Sequence, residues 1–150
     1  MSFAWVLDAS VVVGLYVPQP WSDQALTFLE AAIRSRARLA APDALYYETA
    51  GALRKYASAR GRGAPDATLV DLARLVDLPI ETTSCRDLTL EAADISLRHV
   101  ISTYDAFYLA LSARLGVPLV TADERLVGAV AGKGFDVRNI ADVAGQTGRR

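Results

Sequence analysis

Phe3-Ala4-Trp5-Val6-Leu7-Asp8-Ala9-Ser10 and, far along the chain, Val117-Pro118-Leu119-Val120-Thr121-Ala122-Asp123 are two short apolar runs that each end on an acid. Both alternating faces are apolar in each run, which suits strands buried on both sides of a parallel sheet. In open α/β sheets the crevice that binds ligands lies outside the carboxyl ends of the strands, so Asp8 and Asp123 are expected at one rim.

The pattern between these runs alternates. After the strand Phe3–Leu7 the turn reaches Pro18 and Pro20, and a helix is predicted over 21–36. Ser22 is its candidate N-cap, with Leu26, Leu29, Ala32 and Ile33 at helical spacing. A strand over 39–41 stops at Pro42, and a helix over 43–60 ends in Gly61-Arg62-Gly63. Pro65-Asp66 opens a helix to Val76 with Leu69, Leu72, Ala73 and Val76 facing inward. A strand over 79–83, helices over 89–100 and 104–115, a strand over 117–121, a helix over 124–131 and a last strand over 135–139 complete the pattern, and residues 145–150 read as a frayed tail. Strands alternating with helices predict a three-layer α/β/α sandwich with a mostly parallel sheet. No repeat, linker or low-complexity tract divides the 150 residues, so a single domain is expected.

Composition narrows the class. The chain is 52% apolar and 22% charged, which is globular, and its net charge of −1 gives no long-range steering toward nucleic acid. Cys85 is the only cysteine, which excludes an intrachain disulfide and fits a reducing compartment. One cysteine and one histidine also exclude a Cys/His zinc cluster, and a Cys85–His99 nucleophilic pair lacks an orienting third group. Asp8 interrupts the first apolar run too early for a signal peptide, and no run reaches the roughly 20 apolar residues that cross a bilayer. A cytoplasmic, non-membrane protein is expected.

Two further acids, Glu48 and Asp105, stand in apolar or small-residue helical stretches. Each acid has a structural alternative. Asp8 suits a turn that bonds its own backbone, and Glu48 suits a solvated helix face. No cation stands three or four residues beyond Glu48, and Gly51 in the same helix suggests a close backbone approach. Ser102-x-x-Asp105 and Thr121-x-x-Glu124 both read as capping boxes, the second of which leaves Asp123 to face the crevice. Four carboxylates at one rim would repel one another and raise their pKa values unless a divalent cation joined them.

The set Asp8, Glu48, Tyr104-Asp105-Ala106-Phe107-Tyr108-Leu109-Ala110-Leu111 and Thr121-Ala122-Asp123 resembles the PIN-domain ribonucleases, most closely the VapC-type toxins of toxin–antitoxin pairs. The likeness runs from Asp8 to the last strand. It implies an endoribonuclease in which Asp8, Glu48, Asp105 and Asp123 bind one or two Mg²⁺ or Mn²⁺ ions and cleavage leaves a 5′-phosphate and a 3′-hydroxyl. It also implies a homodimer and a small antitoxin that covers the acidic site. Ser10 and Thr121 are candidates to hold the carboxylates or a metal-bound water through their hydroxyls, or else turn former and N-cap. Arg54, Lys55, Arg60 and Arg62 are candidate contacts to the RNA backbone, with Arg86, Arg98 and Arg125 as further cations, and Trp21, Tyr46 and Tyr47 are aromatics suited to a partner groove.

Three rival readings remain. A housekeeping PIN nuclease would process RNA without an antitoxin. A phosphoacceptor signalling domain also gathers acids and Mg²⁺ at strand ends, but needs a lysine near the rim after a late strand. Lys133 follows a helix instead. A catalytically silent domain would use the acids only as helix caps.

Overall fold

In the computed structural model, which describes residues 2–59 and 65–144, five parallel strands form one sheet. The strands are β1 (Phe3–Leu7), β2 (Arg38–Pro42), β3 (Ile80–Thr83), β4 (Leu119–Thr121) and β5 (Val137–Asn139), and their order across the sheet is β3-β2-β1-β4-β5. The chain therefore winds outward from β1 in one direction and then returns to the other side of it through β4. That reversal leaves a crevice above the carboxyl ends of β1 and β4. Val6 pairs with Leu119 and Leu7 with Val120, and the Asp8 N–H donates to the Val120 carbonyl at 2.9 Å. The two acid-tipped runs are neighbours.

Helices cover the sheet: α1 (Ala9–Val13), α2 (Ser22–Arg34), α3 (Ala44–Ala59), α4 (Pro65–Val76), α5 (Cys85–His99), α6 (Thr103–Leu115), α7 (Glu124–Val130) and α8 (Ile140–Val143). The most apolar of the expected helices, α6, packs on β1, β2 and β4 and against α5. Ala106, Tyr108, Leu109, Ala110, Leu111 and Ser112 are all buried, so it is apolar around most of its circumference. Gly116 ends it at φ 67°, a left-handed cap that glycine adopts without penalty. On α2, Phe28 meets Trp5 of β1 edge to face with ring centroids 5.4 Å apart.

Several sequence expectations are corrected. No helix was expected directly after Asp8, yet α1 begins at Ala9. Its Val11-Val12-Val13 run favours strand, and tertiary burial of Val11 and Val12 overrides that preference. Ser22 is the first helical residue of α2 rather than its cap; its Oγ accepts from the Gln19 N–H at 2.9 Å. The buried face of α2 carries Ala25, Phe28, Leu29 and Ala32, whereas Leu26 and Ile33 are exposed. On α4 only Leu75 is buried; Leu72 is half-buried, Ala73 is exposed, and Leu69 and Val76 are 61% and 66% exposed. α5 starts at Cys85, where Ser84 caps it by accepting from the Arg86 N–H. The Gly61-Arg62-Gly63 stop, Arg60 and the expected tail over 145–150 lie outside the described residues.

Gly51 is the clearest misreading. A Cβ built there meets nothing within 4 Å, so no backbone approaches it closely. Gly51→Ala is expected to stabilise the protein by about 0.5–1 kcal/mol through helix propensity alone. Urea denaturation at neutral pH measures it, and a loss of stability would reveal a contact at this face.

Candidate active site at the β1–β4 rim

Asp8 follows the last residue of β1 and is only 7% exposed. Its side chain makes no full capping bond to α1, although the Ser10 backbone N–H acts on the carboxyl as the turn-forming alternative expects. Oδ2 accepts two hydroxyl hydrogen bonds, from Ser10 Oγ at 2.5 Å and from Thr121 Oγ1 at 2.8 Å. Each hydroxyl in turn accepts a backbone N–H, Ser10 from Ala122 and Thr121 from Asp123, both at 3.0 Å. With the backbone donating to each oxygen, its single hydrogen is directed at the carboxylate. The result is a clasp between the ends of β1 and β4.

Thr121 is therefore no capping box with Glu124. Asp123 itself caps α7, its Oδ1 accepting from the Arg125 N–H at 3.0 Å and lying 3.6 Å from Arg125 Nε. The Ser102-x-x-Asp105 capping box also fails to form: Ser102 precedes α6 without a side-chain capping bond. Asp105, in the first turn of α6, is left for the crevice.

Electrostatics tie all four acids together. Burial pushes the Glu48 carboxyl up to about 7, aided by the charges of Asp8 and then Asp105. Burial likewise raises Asp105 to about 6, with Asp8 and Asp123 adding to the rise and Arg125 offsetting part of it. Burial raises Asp8 too, against the pull of the Ser10 and Thr121 hydroxyls, with Asp123 adding its repulsion. Carboxylates that raise one another in this way share one site.

Tyr108, which the sequence reading left without a role, stands beside Glu48. Its hydroxyl offsets part of the rise in Glu48 without the geometry of a full hydrogen bond, and both Glu48 Oε1 and Tyr108 Oη are buried with no partner. Buried unpaired oxygens are uncommon and call for a partner. Hard divalent cations take such oxygen ligands, so the donor chemistry fits Mg²⁺ or Mn²⁺. Among the described residues no three His, Cys, Asp or Glu side chains are arranged to hold a metal ion as they stand. Mg²⁺ needs only one or two carboxylates beside its waters, so a closed cage is not required.

The remaining candidates separate. Arg54 and Lys55 are exposed on α3 beyond Glu48, while Arg62 and Arg60 lie outside the described residues. The Arg125 side chain is 94% exposed beside Asp123, and Arg98 is paired with Asp94. Trp21 and Tyr46 are half-buried against the core, and Tyr47 is exposed. Cys85 and His99 stand at opposite ends of α5, about 21 Å apart at 1.5 Å per residue, which rules out the nucleophilic pair. Burial, followed by Asp43, pushes the Cys85 thiol up to about 11, so it is not a thiolate at neutral pH. Lys133 donates to the His99 carbonyl rather than to a rim acid.

Thr121→Val tests the clasp. It removes one donor from Asp8 and leaves the Asp123 N–H without an acceptor, and is expected to cost about 1–3 kcal/mol. Thr121→Ser is expected to keep most of that stability. Equal urea midpoints for wild type and Thr121→Val would show that the clasp contributes nothing.

A reversed parallel sheet carrying coupled acids at its switch point is the architecture of a nuclease class, and the PIN domain family matches residues 5–132. The chain belongs to that family. Curated relatives place it among the VapC-type members: it is 33% identical over 123 residues to ribonuclease VapC3 of Pyrobaculum aerophilum, covering 81% of this chain and 90% of that protein. It is 32% identical over 124 residues to ribonuclease VapC12 of Mycobacterium tuberculosis, covering 81% of this chain and 88% of that one. The fold matches the crystal structure of PAE2754 from Pyrobaculum aerophilum with a TM-score of 0.71 at 21% identity, over 97% of this chain and 89% of the other. VapBC2 from Rickettsia felis, bound to a DNA fragment from their promoter, matches with a TM-score of 0.68 at 12% identity, over 91% and 98% of the two chains.

Proposed function

We propose that this protein is a divalent-metal-dependent endoribonuclease, the toxin of a VapBC-type toxin–antitoxin pair. The observation that carries the reading is the group of mutually repelling carboxylates at the switch point, one with a buried, unpartnered oxygen. Asp8, Glu48, Asp105 and Asp123 would hold Mg²⁺ or Mn²⁺. A cation held there supplies positive charge against the charge that develops on the phosphate, and acidifies the attacking water.

The chain's own residues set the rest. Ser10 and Thr121 hold Oδ2 of Asp8 and so keep that carboxylate oriented. Arg125 stands in solvent beside Asp123, placed to meet a phosphate. Arg54 and Lys55, exposed on α3, are proposed contacts to the RNA backbone, as, from the sequence, are Arg60 and Arg62. VapC-type membership supports a small antitoxin as partner, a homodimer and a cytoplasmic setting. Among the described residues no helix is long and apolar enough to cross a membrane.

The test is cleavage of RNA by the purified protein with Mg²⁺ or with EDTA, beside Asp8→Asn and Asp123→Asn. Cleavage that needs Mg²⁺ and is lost in both variants is expected. Equal cleavage in every sample would identify a contaminating nuclease and overturn the reading.

A further inference from the structure

Beside the clasp the surface opens into a cavity of about 700 Å³, lined among others by Ser10, Trp21, Gln24, Asp123, Arg125 and Asn139. Three features show how it is built. The Trp21 indole is anchored, its Nε1–H donating to the Ser10 carbonyl at 3.1 Å. Gly14 makes room for that indole: a Cβ there would lie 2.8 Å from Nε1 and 2.9 Å from Cδ1. Its φ of −59° is open to any residue, so the glycine serves space and not backbone conformation. The two amides are placed differently. Asn139 Oδ1 accepts from the Ala141 N–H at 2.9 Å, a bond that fixes the side chain and does not use its NH₂. Gln24 also lines the cavity, its Oε1 buried without a hydrogen-bond partner.

These walls select a ligand. Asp123 and Glu124 outnumber Arg125 along the cavity, a net negative lining that disfavours an anion bound within it. An aromatic side chain, two amides and largely apolar walls suit a flat, uncharged heteroaromatic ring with a hydrogen-bonding edge. Unpaired bases in RNA are recognised by such stacking and edge contacts.

We propose that this cavity is a base-reading subsite. It takes the unpaired nucleobase of a nucleotide flanking the scissile phosphate, with Trp21 as its aromatic wall and the Gln24 and Asn139 amides on the base edge. The proposal rests on the ribonuclease reading above. Ser10 joins the two sites, since its carbonyl holds Trp21 and its hydroxyl holds Asp8. A base seated against Trp21 is thereby held in register with the acids.

The experiment compares wild type, Gln24→Leu and Trp21→Ala on a random RNA pool whose cut sites are sequenced. A preferred RNA is then made with a single abasic nucleotide on either side of the cut bond. Loss of the base on one side is expected to lower wild-type kcat/KM about tenfold or more, the scale of one base–aromatic stack. Gln24→Leu is expected to be slower on intact RNA, to lose the sequence preference and to be indifferent to the abasic position, with its melting temperature unchanged. Trp21→Ala is expected to behave likewise, and Gln24→Leu carries the test if Trp21→Ala folds poorly. Wild type that cuts the abasic RNA at full rate, or Gln24→Leu with the wild-type preference, would overturn the subsite. A cavity that serves an antitoxin segment instead leaves both RNA readouts unmoved, which also counts against it. Binding is read separately in a Trp5→Phe background, where Trp21 is the one remaining tryptophan. Oligoribonucleotide in EDTA is expected to quench its emission. If wild type cuts no RNA, the ribonuclease reading fails and this quenching alone decides for or against the base site.

Discussion

Asp8→Asn is expected to lower RNA cleavage at least a hundredfold while leaving the fold as stable as wild type or more so. A hundredfold corresponds to about 3 kcal/mol of barrier at 1.4 kcal/mol per decade, within the range for loss of one preorganised charge in an active site. The stability expectation has a separate origin. An asparagine at position 8 still offers an oxygen to the Ser10 and Thr121 hydroxyls, so the clasp survives. The buried charge disappears, and with it Asp8's share of the rise in Glu48 and Asp105, which burial mainly sets. Parallel measurement of cleavage rate and thermal midpoint separates the two effects. A variant within tenfold of wild type would place Asp8 outside the reaction, and a collapsed midpoint would assign it to the fold.

The second large effect concerns pH in the metal-free protein. The Glu48 carboxyl is raised to about 7 and Asp105 to about 6, both above their ordinary values of 4.5 and 3.8. A raised acid binds its proton more tightly when folded. Its contribution is fully present below the ordinary pKa and is lost as pH rises through the folded value. Between about pH 4 and 7 the protein therefore loses stability from these two groups. For Glu48 the loss is about 1–3 kcal/mol, the full linkage value reduced for its partial exposure. The thermal midpoint in EDTA should fall by several degrees from pH 5 to pH 7.5. Asp136, Glu81 and Glu91, lowered by their arginine partners, act in the opposite direction only at more acid pH. Because a divalent cation binds the ionised carboxylates, Mg²⁺ should restore the midpoint more at pH 7.5 than at pH 5. Glu48→Gln should flatten both trends. A midpoint in EDTA that rises from pH 5 to 7.5, or ignores Mg²⁺, would break the link between these acids and a cation.

Which parts of this were legible beforehand follows from the physics of each signal. The β1 and β4 runs were readable because strands buried on both faces are apolar at every position, and a carboxylate at the end of such a run stands out. Glu48 and Asp105 were found by contrast with small or apolar helical neighbours. The α1 helix was not readable, since three consecutive valines carry a strand preference that only burial overrides. Helical periodicity on α4 misled because the helix buries little beyond Leu75, so its remaining apolar residues face outward. Both capping-box patterns failed because a spacing states which bonds are available and not which are made. Thr121 spends its oxygen on Asp123 and its hydrogen on Asp8. Asn139 carried a weaker signal: like Asp8 and Asp123, it is a polar residue at or just beyond the carboxyl end of a strand, but that strand, Val137–Asn139, is not apolar. Nothing in the sequence marked Gln24, whose buried oxygen is visible only in three dimensions.

The clasp joins residues 113 positions apart, so Asp8 is synthesised well before Thr121. A ribosome adds about 5–20 residues per second, and chains fold from the N-terminus as they emerge. For most of that time Asp8 has no β4 beside it, no second hydroxyl and no facing Asp123. Until β4 has been made the chain lacks the rim site, and no fragment that omits β4 inherits it. The acids are joined only when β4 packs beside β1, so the site belongs to the assembled sheet and to no earlier stage of folding.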